Sequence, residues 1–214
     1  MSPPRIRPLA ALVLAACLGA VSVPAGAAEP STTALPQAAA PSQPSAGPRP
    51  ATQDPRGMSD AERKAYPQSL REARDLVGSK RYDEAIARLD ALIAAHPREP
   101  QARFIKGIAL TDAGKTDEAI GQFRSLIAEF PELPEPRNNL AVLYAKKGEY
   151  ALARDELERA VQAAPDYAIA HENLGDVYAR LAQVEYDRVV ALDRRNRSAP
   201  AKLKLIREAE TAGK

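Results

Sequence analysis

Cysteine is nearly missing from this chain of 214 residues, Cys17 being the only one. That excludes an intramolecular disulfide and a thiolate metal site. Tryptophan is absent and phenylalanine occurs three times, so a core has to be assembled from the abundant Ala, Leu, Ile and Val. The two histidines, His96 and His171, stand far apart with no Cys or matched carboxylate pattern around either. No Gly-rich phosphate loop and no spacing suggestive of a nucleophile is present, which leaves no catalytic constellation, no metal set and no cofactor motif. Charge of one sign is also lacking. The formal balance is +2, and Arg5 and Arg7 fall in a leader that contains no acidic residue. Their removal leaves 28 basic against 28 acidic side chains. Without a basic excess the electrostatic argument for nucleic acid disappears.

Residues 1–27 have the three parts of a secretory signal. Arg5 and Arg7 precede an apolar run from Leu9 to Val23, and Ala25-Gly26-Ala27 supplies a small-x-small cleavage site. Pro24 and Gly26 end the run too early for a membrane span of about 20 apolar residues. Leu14-Ala15-Ala16-Cys17 resembles the lipobox of bacterial lipoproteins, in which cleavage leaves a lipid-modified cysteine; the apolar run that continues through Val23 favours cleavage after Ala27 instead. The expected location is the periplasm, with an outer-membrane lipoprotein as the alternative and membrane attachment only if Cys17 is lipidated. Residues 28–57 are rich in Pro, Ala and Ser and have no periodic apolar face, so they read as a disordered linker. As a coil, about 30 residues would span roughly 30 Å.

From Met58 onward the chain looks foldable, with Ser59-x-x-Glu62 as a capping box and Pro67 as a fresh helical start. A repeat then takes over. Ala85, Ala119 and Ala153 are spaced 34 residues apart, and so are Pro97, Pro131 and Pro165. Such a period indicates stacked helix-turn-helix units. The pairs are expected at 67–77 with 82–95, 101–112 with 116–129, and 134–147 with 149–164, Gly114 and Gly148 marking turns and the prolines marking stops. The fourth unit is about five residues short and has no Gly or Pro between Leu181 and Leu192. Its two helices are expected to fuse over 167–193, followed by a capping helix over 201–211.

These phrases resemble the tetratricopeptide repeat family. The third unit carries Leu140-Ala141, Tyr144, Ala153, Leu157, Ala160 and Pro165, and the second Gly107, Leu110, Ala119, Phe123 and Pro131. The first is weaker, and the fourth offers Leu174-Gly175, Tyr178 and Tyr186. The family's large aromatic at the fourth position of helix A is replaced by Ser69, Arg103, Arg137 and His171. The resemblance implies an all-α fold: a right-handed helical solenoid of about three and a half repeats (about 66–99, 100–133, 134–167 and 168–193) with a fused long helix and a C-terminal cap, all within a domain over 58–214.

In physical terms, small residues at Gly107, Ala141 and Gly175 on helix A, and Ala85, Ala119 and Ala153 on helix B, allow close helix pairing. The resemblance also implies a concave groove lined by the A helices. By its phase the lining is Leu70, Arg74, Phe104, Ile108, Asn138, Asn139, Val142, Glu172, Asn173 and Asp176. An amide both donates and accepts, so Asn139 and Asn173 would suit a peptide backbone beside an apolar patch at Phe104 and Ile108. The implied function is a non-catalytic exported adaptor for a protein or peptide ligand. The alternative is an envelope lipoprotein with a structural or pilotin-like tethering role through Cys17. His171 is expected to pack at the helix A seam, with a polar contact at the groove edge as the alternative. The C-terminal basic run, which includes Arg188, Arg194, Arg195 and Lys202, is offset by Asp187, Asp193 and Glu208 and reads as a solvated face.

Overall fold

Ser59 opens the first helix. Its hydroxyl accepts from the Glu62 amide at 3.3 Å while the Glu62 carboxylate accepts from the Ser59 amide at 2.8 Å, the reciprocal bonding of a capping box. The computed structural model describes residues 58–212; the expected leader and linker lie outside the described residues. Eight helices follow in order: α1 Asp60–Gly78, α2 Tyr82–Ala95, α3 Pro100–Asp112, α4 Thr116–Glu129, α5 Pro134–Lys146, α6 Tyr150–Ala163, α7 Ala168–Leu192 and α8 Ser198–Ala212. Among the described residues no strand occurs, and the helices stack as an α solenoid.

The period sets the turns. Lys80, Gly114 and Gly148 stand 34 residues apart and all have positive φ, at 61°, 76° and 80°. In each case the next amide reaches back to the end of helix A: Arg81 to the Leu76 carbonyl, Lys115 to Leu110, and Glu149 to Tyr144, all at 2.9 Å. This is the left-handed C-terminal cap that glycine favours. One period later the position holds Ala182, and α7 continues straight through it. The fused helix expected over 167–193 is thus observed with each end drawn in by one residue.

Two boundaries differ from expectation. Pro67 does not start a helix but lies inside α1. An exposed proline forfeits one ladder bond, while Tyr66 and Leu70 on either side of it are 7% and 6% exposed and hold the helix through by packing. The last helix begins at Ser198 rather than Ala201. Asn196 Oδ1 accepts from the Ser198 and Ala199 amides at 3.0 and 2.9 Å, and Pro200 falls in the first turn, where its missing N–H costs nothing.

Each helix B (α2, α4, α6) packs on its own helix A and on the next one, while α1 lies against α3 and α5 against α7. The A helices thus touch directly at the two ends of the stack, α1 with α3 and α5 with α7. Ala85, Ala119 and Ala153 are fully buried at the seams. At Gly107 the approach leaves no room for a side chain, since a Cβ there would lie 2.5 Å from the Phe123 ring. Gly175, expected to serve the same purpose, is exposed and has nothing within 4 Å of a built Cβ. With α7 unbroken, no helix B of its own unit lies opposite it.

Candidate protein-interaction face

The A helices carry the residues singled out from the repeat phase, and the structure divides them into three groups. Leu70, Asn138 and Asn173 are buried, at 6%, 0% and 8% exposure. Arg74, Phe104, Ile108, Asn139 and Val142 are half-buried, and Glu172 and Asp176 are exposed. The face available to a partner is thus the second and third groups.

Asn138 and Asn173 meet each other. Asn173 Nδ2 donates to Asn138 Oδ1 at 2.8 Å between α7 and α5. A buried amide pair of this kind fixes the register of neighbouring A helices, because sliding either helix would strand a desolvated polar group. Asn139 Nδ2 donates to the Glu135 carbonyl one turn back at 2.9 Å, leaving its Oδ1 and second amide hydrogen for a ligand. Phe104 leans on Phe123 with ring centroids 6.0 Å apart, and Ile108 packs against the same core cluster. Phe104 and Ile108 on α3 and Val142 on α5 each keep part of an apolar side chain exposed. Toward α7 the face becomes acidic. Partial burial raises the Asp176 carboxyl above its ordinary range, and the neighbouring Glu172 charge adds to the shift.

The unusual fourth position of helix A finds a separate use. Arg137 Nη1 is 2.9 Å from Glu156 Oε2 on α6, both side chains being mostly buried, and Arg159 Nη1 reaches Glu156 Oε1 at 2.9 Å. Arg103, one period earlier, pairs with Glu129 at 2.7 Å. These ion pairs tie helix A to helix B where the family's aromatic would otherwise pack. His171 does not pack at the seam as expected. It is exposed, with Nε2 3.0 Å from the Pro165 carbonyl oxygen. His96 ends α2 and sets its ring edge-on to Tyr66 at 5.2 Å.

Sequence reasoning missed a second concavity away from the expected groove. A cleft of about 530 Å³ opens between α4, α5 and α6, with Ile127, Leu140 and Leu152 as apolar lining and Arg124, Arg137 and Arg159 at its edge. None of the ten expected lining residues contributes to it. The polar fourth position, Arg137, was the available signal. Among the described residues no group of three or more His, Cys, Asp or Glu side chains is placed to hold a metal ion, and no helix is long and apolar enough to cross a membrane.

Models described as tetratricopeptide repeat match residues 70–134 and 110–181, and together run through most of this stack. The chain belongs to the tetratricopeptide repeat family. No curated protein matches it. Among solved structures it is similar to the first TPR domain of human RPAP3, at 18% identity and a TM-score of 0.51, over 55% of this chain and 92% of that one. It is equally similar to the type III secretion translocator chaperone SycD of Yersinia enterocolitica, at 18% identity and a TM-score of 0.51, over 61% of this chain and 98% of that one. At these identities the likeness concerns the fold. A tetratricopeptide stack is a protein-interaction scaffold whose repeats present an extended surface to a partner.

Proposed function

We propose that this protein is an exported, non-catalytic adaptor that binds a segment of another protein along the face of its A helices. The observation that carries the reading is the half-exposed apolar side chains Phe104, Ile108 and Val142 on the A helices, with the free acceptor of Asn139 next in the chain to Asn138, whose bond to Asn173 locks α5 against α7. Such apolar side chains together with a free amide suit a segment that buries one or two side chains and offers its backbone to the amide. Export is supported by Arg5 and Arg7 ahead of the apolar run and by Ala25-Gly26-Ala27. The test is retention of envelope proteins on the immobilised chain against the variant Val142→Glu, with the urea midpoint measured alongside. Proteins held by the parent and lost from an equally stable variant support the reading, and an unchanged set contradicts it.

Leu14-Ala15-Ala16-Cys17 favours a second reading, an envelope lipoprotein that tethers through Cys17 and serves a structural or pilotin-like role. The mass of the mature N-terminus separates the two. A lipidated Cys17 supports tethering, and a free Ala28 ends it.

A further inference from the structure

In the second repeat, Phe123 of helix B sits on Gly107 of helix A so closely that a Cβ on the glycine would fall 2.5 Å from the ring. Two periods later the same helix A phrase recurs in the first half of α7. There Gly175 faces open space, and Tyr178, the counterpart of Leu110, is 47% exposed where Leu110 is 3% exposed. The slot for a helix B is present and empty.

The helix B that belongs in it is also present. Ala182 and Tyr186 keep the four-residue spacing of Ala85 with Leu89, Ala119 with Phe123 and Ala153 with Leu157. They lie, however, on the same unbroken helix as the slot. Tyr186 is eleven residues beyond Gly175, about 16 Å along the axis at 1.5 Å per residue, so the two cannot meet within a straight α7. The turn that would fold them together is shorter by about five residues and has lost its left-handed glycine. The second half of α7 has meanwhile formed its other normal partnership. α8 stands against it as the next helix A would, with Ala199 and Leu203 buried and Lys202 Nζ over the Tyr186 ring at 5.1 Å. Only the seam between the two halves of the fourth unit is open.

We propose that a second copy of this chain closes that seam: two copies exchange the segment from Ala182 onward, each placing its Tyr186 on the other's Gly175. Paired antiparallel, the two α7 helices are related by a two-fold axis near Arg180 and Leu181, so both slots fill at once and the assembly closes. Leu192, 88% exposed on the single chain, lies at the end of the exchanged helix. A hairpin shortened until it cannot turn is a known route to such exchange.

The experiment uses the full chain carrying Cys17→Ser, Gly175→Cys and Tyr186→Cys, oxidised and run on a non-reducing gel, with light scattering of the unmodified chain. The exchange predicts a disulfide-linked dimer and a dimeric mass. A disulfide formed at monomer mass would mean that the segment folds back within one chain, and no disulfide would mean that the slot takes some other occupant. Either overturns the proposal. A second variant copies Gly148 to Leu152 in after Leu181, which restores the period and the glycine turn. It is expected to be monomeric, and a dimer as strong as the parent's would also overturn the exchange.

Discussion

Asn173 Nδ2 donates to Asn138 Oδ1 across 2.8 Å between α7 and α5, with both side chains buried. Asn138 is fully buried, and its own Nδ2 has no hydrogen-bond partner among the described residues. Asn173→Ala therefore leaves that amide wholly unsatisfied and is expected to cost about 1 to 3 kcal/mol. Replacing both residues by Ala is expected to cost less than the sum of the single changes. Urea unfolding of the three variants measures the coupling; strict additivity would mean that the bond contributes nothing.

Gly107 and Gly121 respond in opposite directions to the same substitution. A Cβ at Gly107 meets the fully buried Phe123 ring at 2.5 Å, whereas Gly121 on α4 has nothing within 4 Å. Gly107→Ala is expected to destabilise by about 1 to 3 kcal/mol through overpacking. Gly121→Ala is expected to stabilise by about 0.5 to 1 kcal/mol through helix propensity. Thermal unfolding distinguishes the two signs.

Lys80 occupies the turn position that glycine holds in the next two repeats, at a φ of 61°. A left-handed residue with a Cβ costs roughly 1 to 2 kcal/mol, so Lys80→Gly is expected to raise the melting temperature despite the greater freedom of the unfolded glycine. Gly148→Ala, at a φ of 80°, is expected to lower it. Both are read by the same thermal scan.

Tyr66 sets an alkaline limit. Burial pushes its hydroxyl up to about 12, and the Glu99 charge adds to the shift. The folded chain thus holds a proton that the unfolded chain releases near the ordinary value of 10. Stability is lost as pH rises from about 10 to about 12 and is unaffected by this group below that window. Tyr66→Phe is expected to flatten that part of the profile, measured as melting temperature against pH; a parallel decline in parent and variant would contradict the assignment.

Much of the fold was legible because punctuation recurs at one period. Gly114, Gly148 and the three prolines mark helix ends by local backbone chemistry, which a sequence displays directly, and the same logic anticipated the fused α7 from a turn glycine that is missing. Pro67 misled because its local preference was outweighed by the packing of Tyr66 and Leu70, a tertiary effect. The candidate face was only partly legible. Asn138 and Asn139 are adjacent on α5 and chemically identical, yet one is fully buried and the other is half-exposed. Helix phase read to the nearest residue does not separate them. The pairing of Arg137 with Glu156 spans two helices, so no local pattern announces it.

The measurement that tests the adaptor account most directly is site-specific photo-cross-linking in envelope extract, with the photoreactive residue at Val142 on the A-helix face and, separately, at exposed Glu118 on α4. The account predicts one dominant adduct from Val142 that is absent from Glu118 and is competed away by unlabelled chain. Equal labelling at both positions, or labelling at Glu118 alone, would contradict it.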